Sequence, residues 1–416
     1  MLAAGGSVAT RLFPVDNNTA EGKRMSAQRP GNAVHVRIDR RSLLLKATAA
    51  AVGAMTISCG GTGDSARAAT PARLAAAFRD RFLIGVAVSN QTLERQVETD
   101  LALIRHEFSS VTAENAMKWG VIRPDGVNWR WELADRLVDF AAANGMHVLG
   151  HTLVWHSQVP RQVFSGADGG ALTREALLAR MEEHIDTLVG RYRGRVHTWD
   201  VVNEAIDEDK GWRRSPWFNI IGEDFMEQAF RRARRADPAA KLLYNDYNMH
   251  NPGKREFLLK VLRDWLDRGV PIDGVGLQGH LGLTYPDLEE WERSIAAYEA
   301  LGLEVHVSEL DVDVLPSPYE TGAEISNRFE YSRENDPWPD GLPDEVQQRL
   351  ADRYEQIFRI LLRHKAVRRV TFWGLHDGVS WKNDFPIRGR TNYPLLFDRN
   401  LERKPAWHRL VQLAQQ

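Results

Sequence analysis

The chain has 416 residues, a formal net charge of −2 and a single cysteine, Cys59. That length supports a large core without covalent staples, and one cysteine excludes an intrachain disulfide framework. Residues 1–70 hold nine Lys/Arg and four Asp/Glu, which leaves a body at −7, so there is no basic footprint for nucleic acid.

The first segment reads as an address. Asp39-Arg40-Arg41-Ser42 precedes Leu43-Leu44-Leu45-Lys46 and an Ala- and Val-rich stretch to about Ser58. Twin arginines before a short apolar run, followed by small residues, resemble a Tat export signal. The run is too short for a membrane span. The plainer alternative is a disordered or helical arm. Two ends for the signal stay open. Ala66-Arg67-Ala68 is a small-residue site for cleavage after Ala68, and Thr56-Ile57-Ser58-Cys59 loosely matches a lipoprotein box that would leave Cys59 as a lipid anchor. The basic stretch ahead of the signal also makes Met25 an alternative start. The expected division is residues 1–70 as a removed N-terminal extension and 71–416 as one catalytic domain, exported and acting as a monomer.

From about residue 71, short apolar or β-branched runs alternate with longer amphipathic stretches. The runs are Phe82–Val88, Phe108–Thr112, His147–Leu153, Val196–Asn203, Lys241–Asp246, Gly274–Gly279, Glu304–Glu309 and Arg369–Gly374. Helical period marks Arg174–Arg191, Asp224–Ala236, Arg255–Arg268, Leu288–Ala300 and Asp344–His364. Eight strand–helix repeats point to α/β architecture, a closed (β/α)8 TIM barrel. Asp336–Pro343, rich in Pro, Gly and Asp, reads as a loop after the seventh strand.

A barrel of this kind places its active site at the C-terminal strand ends. Here nearly every end is polar: Glu114, Asn115 and Lys118; His151, then Trp155, His156 and Gln158; Asn203-Glu204; Asn245-Asp246-Tyr247-Asn248; Gln278-Gly279-His280; Glu309, then Asp311; and Trp373, then His376, Asp377 and Trp381. One such end has an ordinary explanation in a cap or salt bridge; the recurrence does not. All 13 tryptophans lie from Trp119 onward. Packing accounts for many of them, but indole faces also stack on sugar rings. Glu204 and Glu309 each follow a buried-looking strand, so that strands four and seven aim two carboxylates into one cleft. Glycoside hydrolysis with retention needs such a pair, one protonated and one ionised.

The chain from about Ala72 to Trp407 resembles glycoside hydrolase family 10, the clan A xylanases. The matching stretches are Thr112–Trp119, Gly150–Gln158, Trp199–Ala205, Glu309–Val312, Thr371–Gly374 and Trp381. The resemblance implies endo-acting, retaining hydrolysis of β-1,4-linked xylan and xylo-oligosaccharides, with no cofactor and no catalytic metal. It implies Glu204 as acid/base and Glu309 as nucleophile. Asn203 would bond the sugar 2-hydroxyl, and His280, oriented by Asp311, would hold Glu309. Glu114, Asn115 and Lys118 would grip the glycone side, His151 and Trp373 the ring at the cleavage point, and Tyr247 and Asn248 the aglycone side. Trp155 and Gln278 complete the sugar-binding set. Gln158 and Trp381 would crowd the place of a glucose C6 group. Ser308 stands where many members carry Thr. The histidines lack the His-Glu-x-x-His spacing of a zinc hydrolase. The rival readings are a clan A endo-glucanase and a catalytically silent sugar-binding barrel.

Overall fold

A computed structural model describes residues 73–207, 211–316 and 328–416. The arginine pair, Cys59 and both alternative signal ends lie outside these residues. Eight parallel strands form the barrel: β1 (Leu83–Val88), β2 (Ser110–Ala113), β3 (His147–Trp155), β4 (Thr198–Asn203), β5 (Lys241–Asp246), β6 (Gly274–Leu277), β7 (Glu304–Asp313) and β8 (Val367–Phe372). They pair in chain order, and β7 and β8 hydrogen-bond while β8 also pairs with β1, which closes the sheet. This is the (β/α)8 barrel expected from the alternation. Among the described residues, no helix is long and apolar enough to cross a membrane.

The strands are buried on both faces, as parallel strands under helices must be. Each helix turns one apolar stripe to them. In Phe225–Ala236 the buried residues are Phe225, Met226, Ala229, Phe230 and Ala233, while its arginines lie on the other side. Side chains in the flanking turns fix the helix starts. Thr173 accepts from the Ala176 N–H ahead of Arg174–Arg191, and Asn251 accepts from Gly253 and Lys254 ahead of Pro252–Asp267.

Three further helices, Glu98–Glu107, Glu132–Ala143 and Pro405–Leu413, did not stand out in the sequence pattern. For the first the reason is physical: it buries charged residues. Glu107 is fully buried and accepts from the Leu74 N–H at 2.9 Å, Arg403 Nη2 at 2.6 Å and Trp407 Nε1 at 3.2 Å. This one carboxylate ties the start of the barrel domain to its last helix. Asp100 accepts from Thr92 Oγ1 at 3.0 Å. Such a helix has a weak apolar period because its inward face is partly ionic.

Strands β3 and β7 run further than the sequence runs suggested, to Trp155 and Asp313. Their pairing is irregular between His151 and Val154 and between Val307 and Leu310, and β4 against β5 is irregular between Asp200 and Val202. Bulges re-aim the side chains that follow them. All three lie next to the residues that form the cleft.

Candidate active site

Glu204 follows β4 directly with a left-handed backbone, φ 56°. For a residue other than glycine this costs about 1–3 kcal/mol. The carboxyl is buried and held at both oxygens. Trp155 Nε1 donates to Oε2 at 2.8 Å and Gln278 Nε2 donates to Oε1 at 2.9 Å. Burial raises its pKa, and the negative charge of Asp246 adds to that; the hydrogen bonds from Gln278 and Trp155 oppose it, and the result is about 7. A carboxyl in this setting keeps its proton at mildly acidic pH.

Glu309, on β7, is also buried and lines the same cleft. Burial alone would raise its pKa. The hydrogen bond from His280 and the charges of His151, His280 and Lys118 outweigh that, and the pKa is lowered. His280 Nε2 lies 3.3 Å from Glu309 Oε2, and its Nδ1 lies 3.0 Å from Asp311 Oδ2. Burial disfavours the charge on His280, but Asp311 and Glu309 prevail and push it up to about 8. The imidazolium therefore donates at both ring nitrogens below that pH.

The two carboxyls are linked through amides. Asn245 Nδ2 donates to Glu309 Oε1 at 2.8 Å and to Asn203 Oδ1 at 2.9 Å, while Gln278 Nε2 reaches the same Asn203 oxygen at 3.4 Å. With Oδ1 so engaged, Asn203 presents Nδ2 as its donor for a ligand. Ser308 Oγ donates to Asn245 Oδ1, which sets the amide's orientation. Asn245 fits because Gly276 faces it: a Cβ at Gly276 would stand 2.3 Å from Asn245 Oδ1.

These groups open into a cleft of about 350 Å³. One flank carries Asn115, whose side chain bridges Glu114 and Lys118 at 3.0 Å each, and the Lys118 ammonium lies 5.0 Å from the centre of the Trp155 ring. His151 Nδ1 is 2.8 Å from Asp200 Oδ2, and its ring stands edge-on to Trp373 at 5.2 Å. Trp381 donates from Nε1 to Asp311 at 2.8 Å and stacks on Phe385 at 4.5 Å. Among the described residues, no group of three His, Cys, Asp or Glu side chains is placed to hold a metal ion.

Two carboxyls of opposed protonation, a donor beside the ionised one and aromatic walls suit acid-assisted displacement at a sugar carbon. A glycosyl hydrolase family 10 model matches residues 73–413. The chain belongs to glycosyl hydrolase family 10. Endo-1,4-beta-xylanase A of Xylanibacter ruminicola is 43% identical over 334 residues, covering 80% of this chain and 90% of that protein. Endo-1,4-beta-xylanase of Geobacillus stearothermophilus is 41% identical, covering 81% and 97%. Among solved structures, a GH10 endoxylanase from a sugarcane soil metagenome superposes with a TM-score of 0.80 at 49% identity, covering 82% of this chain and 99% of that one.

This family 10 site brings together most of the residues singled out in the sequence. Glu114, Asn115, Lys118, His151, Trp155, Gln158, Asn203, Glu204, Gln278, His280, Glu309, Trp373 and Trp381 all line the cleft, with Asp311 behind His280. Tyr247 is not among the lining residues. It is buried, its hydroxyl accepts from Arg213 Nη2 at 2.7 Å, and Lys254 lies over its ring. Asn248 lines a smaller adjoining pocket that shares Gln278 and His280 with the cleft. Trp155 and Gln278, expected as sugar contacts, also donate to Glu204.

Sequence reasoning missed Asp200 behind His151, Asn245 between the two halves, and Arg328, Asp384 and Phe385 on the cleft wall. Asp200 and Asn245 were in view as polar residues of inward-reading strands, which was the available signal. Arg328, Asp384 and Phe385 come from loops, where no period points inward.

The opposed shifts predict the pH dependence. If Glu204 supplies the proton, activity is expected to be lost as pH rises through about 7. If Glu309 reacts as the anion, the acidic limb is expected below the ordinary glutamate value. A kcat/KM profile on a soluble substrate reads both limbs of the free enzyme. A single limb, or a plateau running past pH 9, contradicts these assignments.

Proposed function

We propose that this chain is an endo-acting, retaining β-1,4-xylanase, with Glu204 as general acid/base and Glu309 as nucleophile. The observation that carries the reading is the pair of buried carboxyls in one cleft, one held protonated and one held ionised. Glu309 attacks the anomeric carbon as Glu204 gives its proton to the departing oxygen. Glu204, now ionised, takes a proton from the water that releases the glycosyl-enzyme. Asn203 Nδ2 donates to the 2-hydroxyl beside Glu309, and His280, braced by Asp311, holds the nucleophile's other oxygen. Glu114, Asn115 and Lys118 bind the glycone, His151 and Trp373 frame the ring at the cleavage point, and Trp155 walls it. Asn248 belongs to the aglycone flank, and Tyr247 supports that flank through Arg213. Gln158 and Trp381 exclude a C6 hydroxymethyl group. Family membership and the xylanase names of the relatives support this substrate over a glucan.

Residues 1–70 are assigned as an export leader of Tat type and 71–416 as the catalytic domain, which acts outside the cytoplasm as a monomer. The twin arginines and the apolar run support that assignment.

The purified protein incubated with soluble xylan is expected to release mixed oligosaccharides early, with a rapid fall in viscosity. Carboxymethylcellulose is expected to be cut far more slowly. Release of a single small product from chain ends removes the endo reading. Equal rates on the glucan remove the role given to Gln158 and Trp381.

A further inference from the structure

The backbone that carries Glu204 is held by groups from outside its own strand. β4 ends at Asn203, and Glu204 stands in the left-handed region at φ 56°, so the polar groups there need partners beyond the regular ladder. Each has one. The Glu204 N–H donates to the Asn245 carbonyl at 2.9 Å. In the peptide that follows, the Glu204 carbonyl accepts from Arg213 Nε at 2.9 Å, and the Ala205 N–H donates to the Tyr244 hydroxyl at 3.1 Å. One peptide plane is gripped by a side chain at its oxygen and by another at its hydrogen.

Both grips lead towards one buried carboxylate. The Tyr244 hydroxyl accepts from Ala205 and donates to Asp246 Oδ2. Burial raises the Tyr244 pKa well above its ordinary value, and the charge of Asp246 adds to that, so the hydroxyl keeps the proton it donates. Asp246 Oδ1 accepts from Lys254 Nζ at 2.7 Å and from the Tyr247 N–H at 2.9 Å. Arg213 donates from Nη2 to the Tyr247 hydroxyl at 2.7 Å, and the Lys254 ammonium lies 4.2 Å from the centre of that ring. Tyr244, Asp246 and Lys254 are fully buried, and none is among the residues that line the cleft. A buried ion pair adds little to stability over apolar side chains of similar volume. The bonds around this one run to the Glu204–Ala205 peptide.

We propose that Tyr244 is a positioning residue for proton transfer: with Arg213 it clamps the Glu204–Ala205 peptide, and the Asp246–Lys254 pair fixes the hydroxyl that does so. The acid/base then carries two sets of restraints. Trp155 and Gln278 hold its carboxyl oxygens, and the clamp holds the backbone from which the side chain projects. A left-handed backbone at a residue other than glycine persists only where its surroundings over-determine it. Without the Tyr244 hydroxyl, the Ala205 N–H loses its partner and the peptide is free to relax. A catalytic group moved by about 1 Å can lose about 10²-fold in rate. None of the bonds made by the Tyr244 hydroxyl reaches Glu309 on β7, so the nucleophile is expected to stay as it is.

The inference rests on Glu204 being the acid/base. The test is kcat/KM of Tyr244→Phe on aryl xylobiosides whose leaving groups run from phenol to dinitrophenol, with thermal unfolding to establish the fold. These substrates share one glycone and differ in how much they need the proton. The phenylalanine variant is expected to lose about 10- to 100-fold on the phenyl substrate and little on the dinitrophenyl one, so that the loss grows as the leaving group becomes more basic. A uniform loss across the series overturns the proposal, because a merely structural role or a displaced nucleophile acts on all of them alike. No loss at all overturns it too. Should the phenylalanine variant not fold, Arg213→Met opens the same clamp from a half-buried position and carries the same expectation and the same refutations. Failure of the acid/base assignment is a separate result, because Glu204→Ala then shows no dependence on the leaving group.

Discussion

Glu309→Ala is expected to lower xylan hydrolysis by at least about 10⁴-fold, as loss of a covalent nucleophile does. The carboxylate is held ionised by His280 and Asn245 at its two oxygens, with Lys118 and His151 adding positive charge nearby. No other carboxylate in the cleft has that company. Glu114 is pushed up by burial despite Lys118, so it is a poorer nucleophile candidate. Removing the side chain leaves space for a small anion. Azide or formate is expected to restore turnover of an activated aryl xyloside, with the product inverted because the anion attacks from the vacated face. The measurement is the initial rate on xylan and the anomeric form of the rescued product by NMR. A parental rate on xylan moves the nucleophile elsewhere.

Glu204→Ala is expected to cost about 10²–10⁴-fold on xylan, the usual worth of a positioned general acid. The loss depends on the leaving group. A xyloside whose leaving group is already acidic needs no proton, so formation of the glycosyl-enzyme is expected to be nearly unaffected, and a burst of released phenol reports it. The limb at about pH 7 is expected to vanish with the side chain. Alanine is a cleaner choice than glutamine. Trp155 and Gln278 both donate to this carboxyl, and an amide would set an N–H against one of them. An unchanged basic limb in the alanine variant assigns the titration to another group, His280 at about 8 being the nearest in value.

The barrel and the two glutamates were legible because their signals run along the chain. Eight apolar runs separated by amphipathic stretches demand a parallel sheet with helices outside it, and a charge at the point where apolar burial stops marks a strand's C-terminal end. Val201-Val202-Asn203-Glu204 and Val305-His306-Val307-Ser308-Glu309 carry that mark in the sequence itself. Glu98–Glu107 was harder to see because Asp100 and Glu107 sit on its inward face, satisfied by Thr92, Arg403 and Trp407 from distant parts of the chain. Tyr247 follows a polar strand end just as Glu204 and His280 do, and nothing in the sequence shows that Arg213 reaches its hydroxyl and Lys254 lies over its ring.

By itself, then, the sequence determined the order of the elements, the family and which residues sit at the strand ends. The tertiary structure alone decided what those residues are. Two glutamates with the same intrinsic acidity are pushed apart because burial, aided by Asp246, prevails at Glu204 over its neutral donors, while at Glu309 burial is outweighed by His280, His151 and Lys118. Those neighbours come from β2, β3, β5 and β6 and the loops beyond them, far apart in the chain. Desolvation and Coulomb interactions act through space, and only the closed barrel sets those distances.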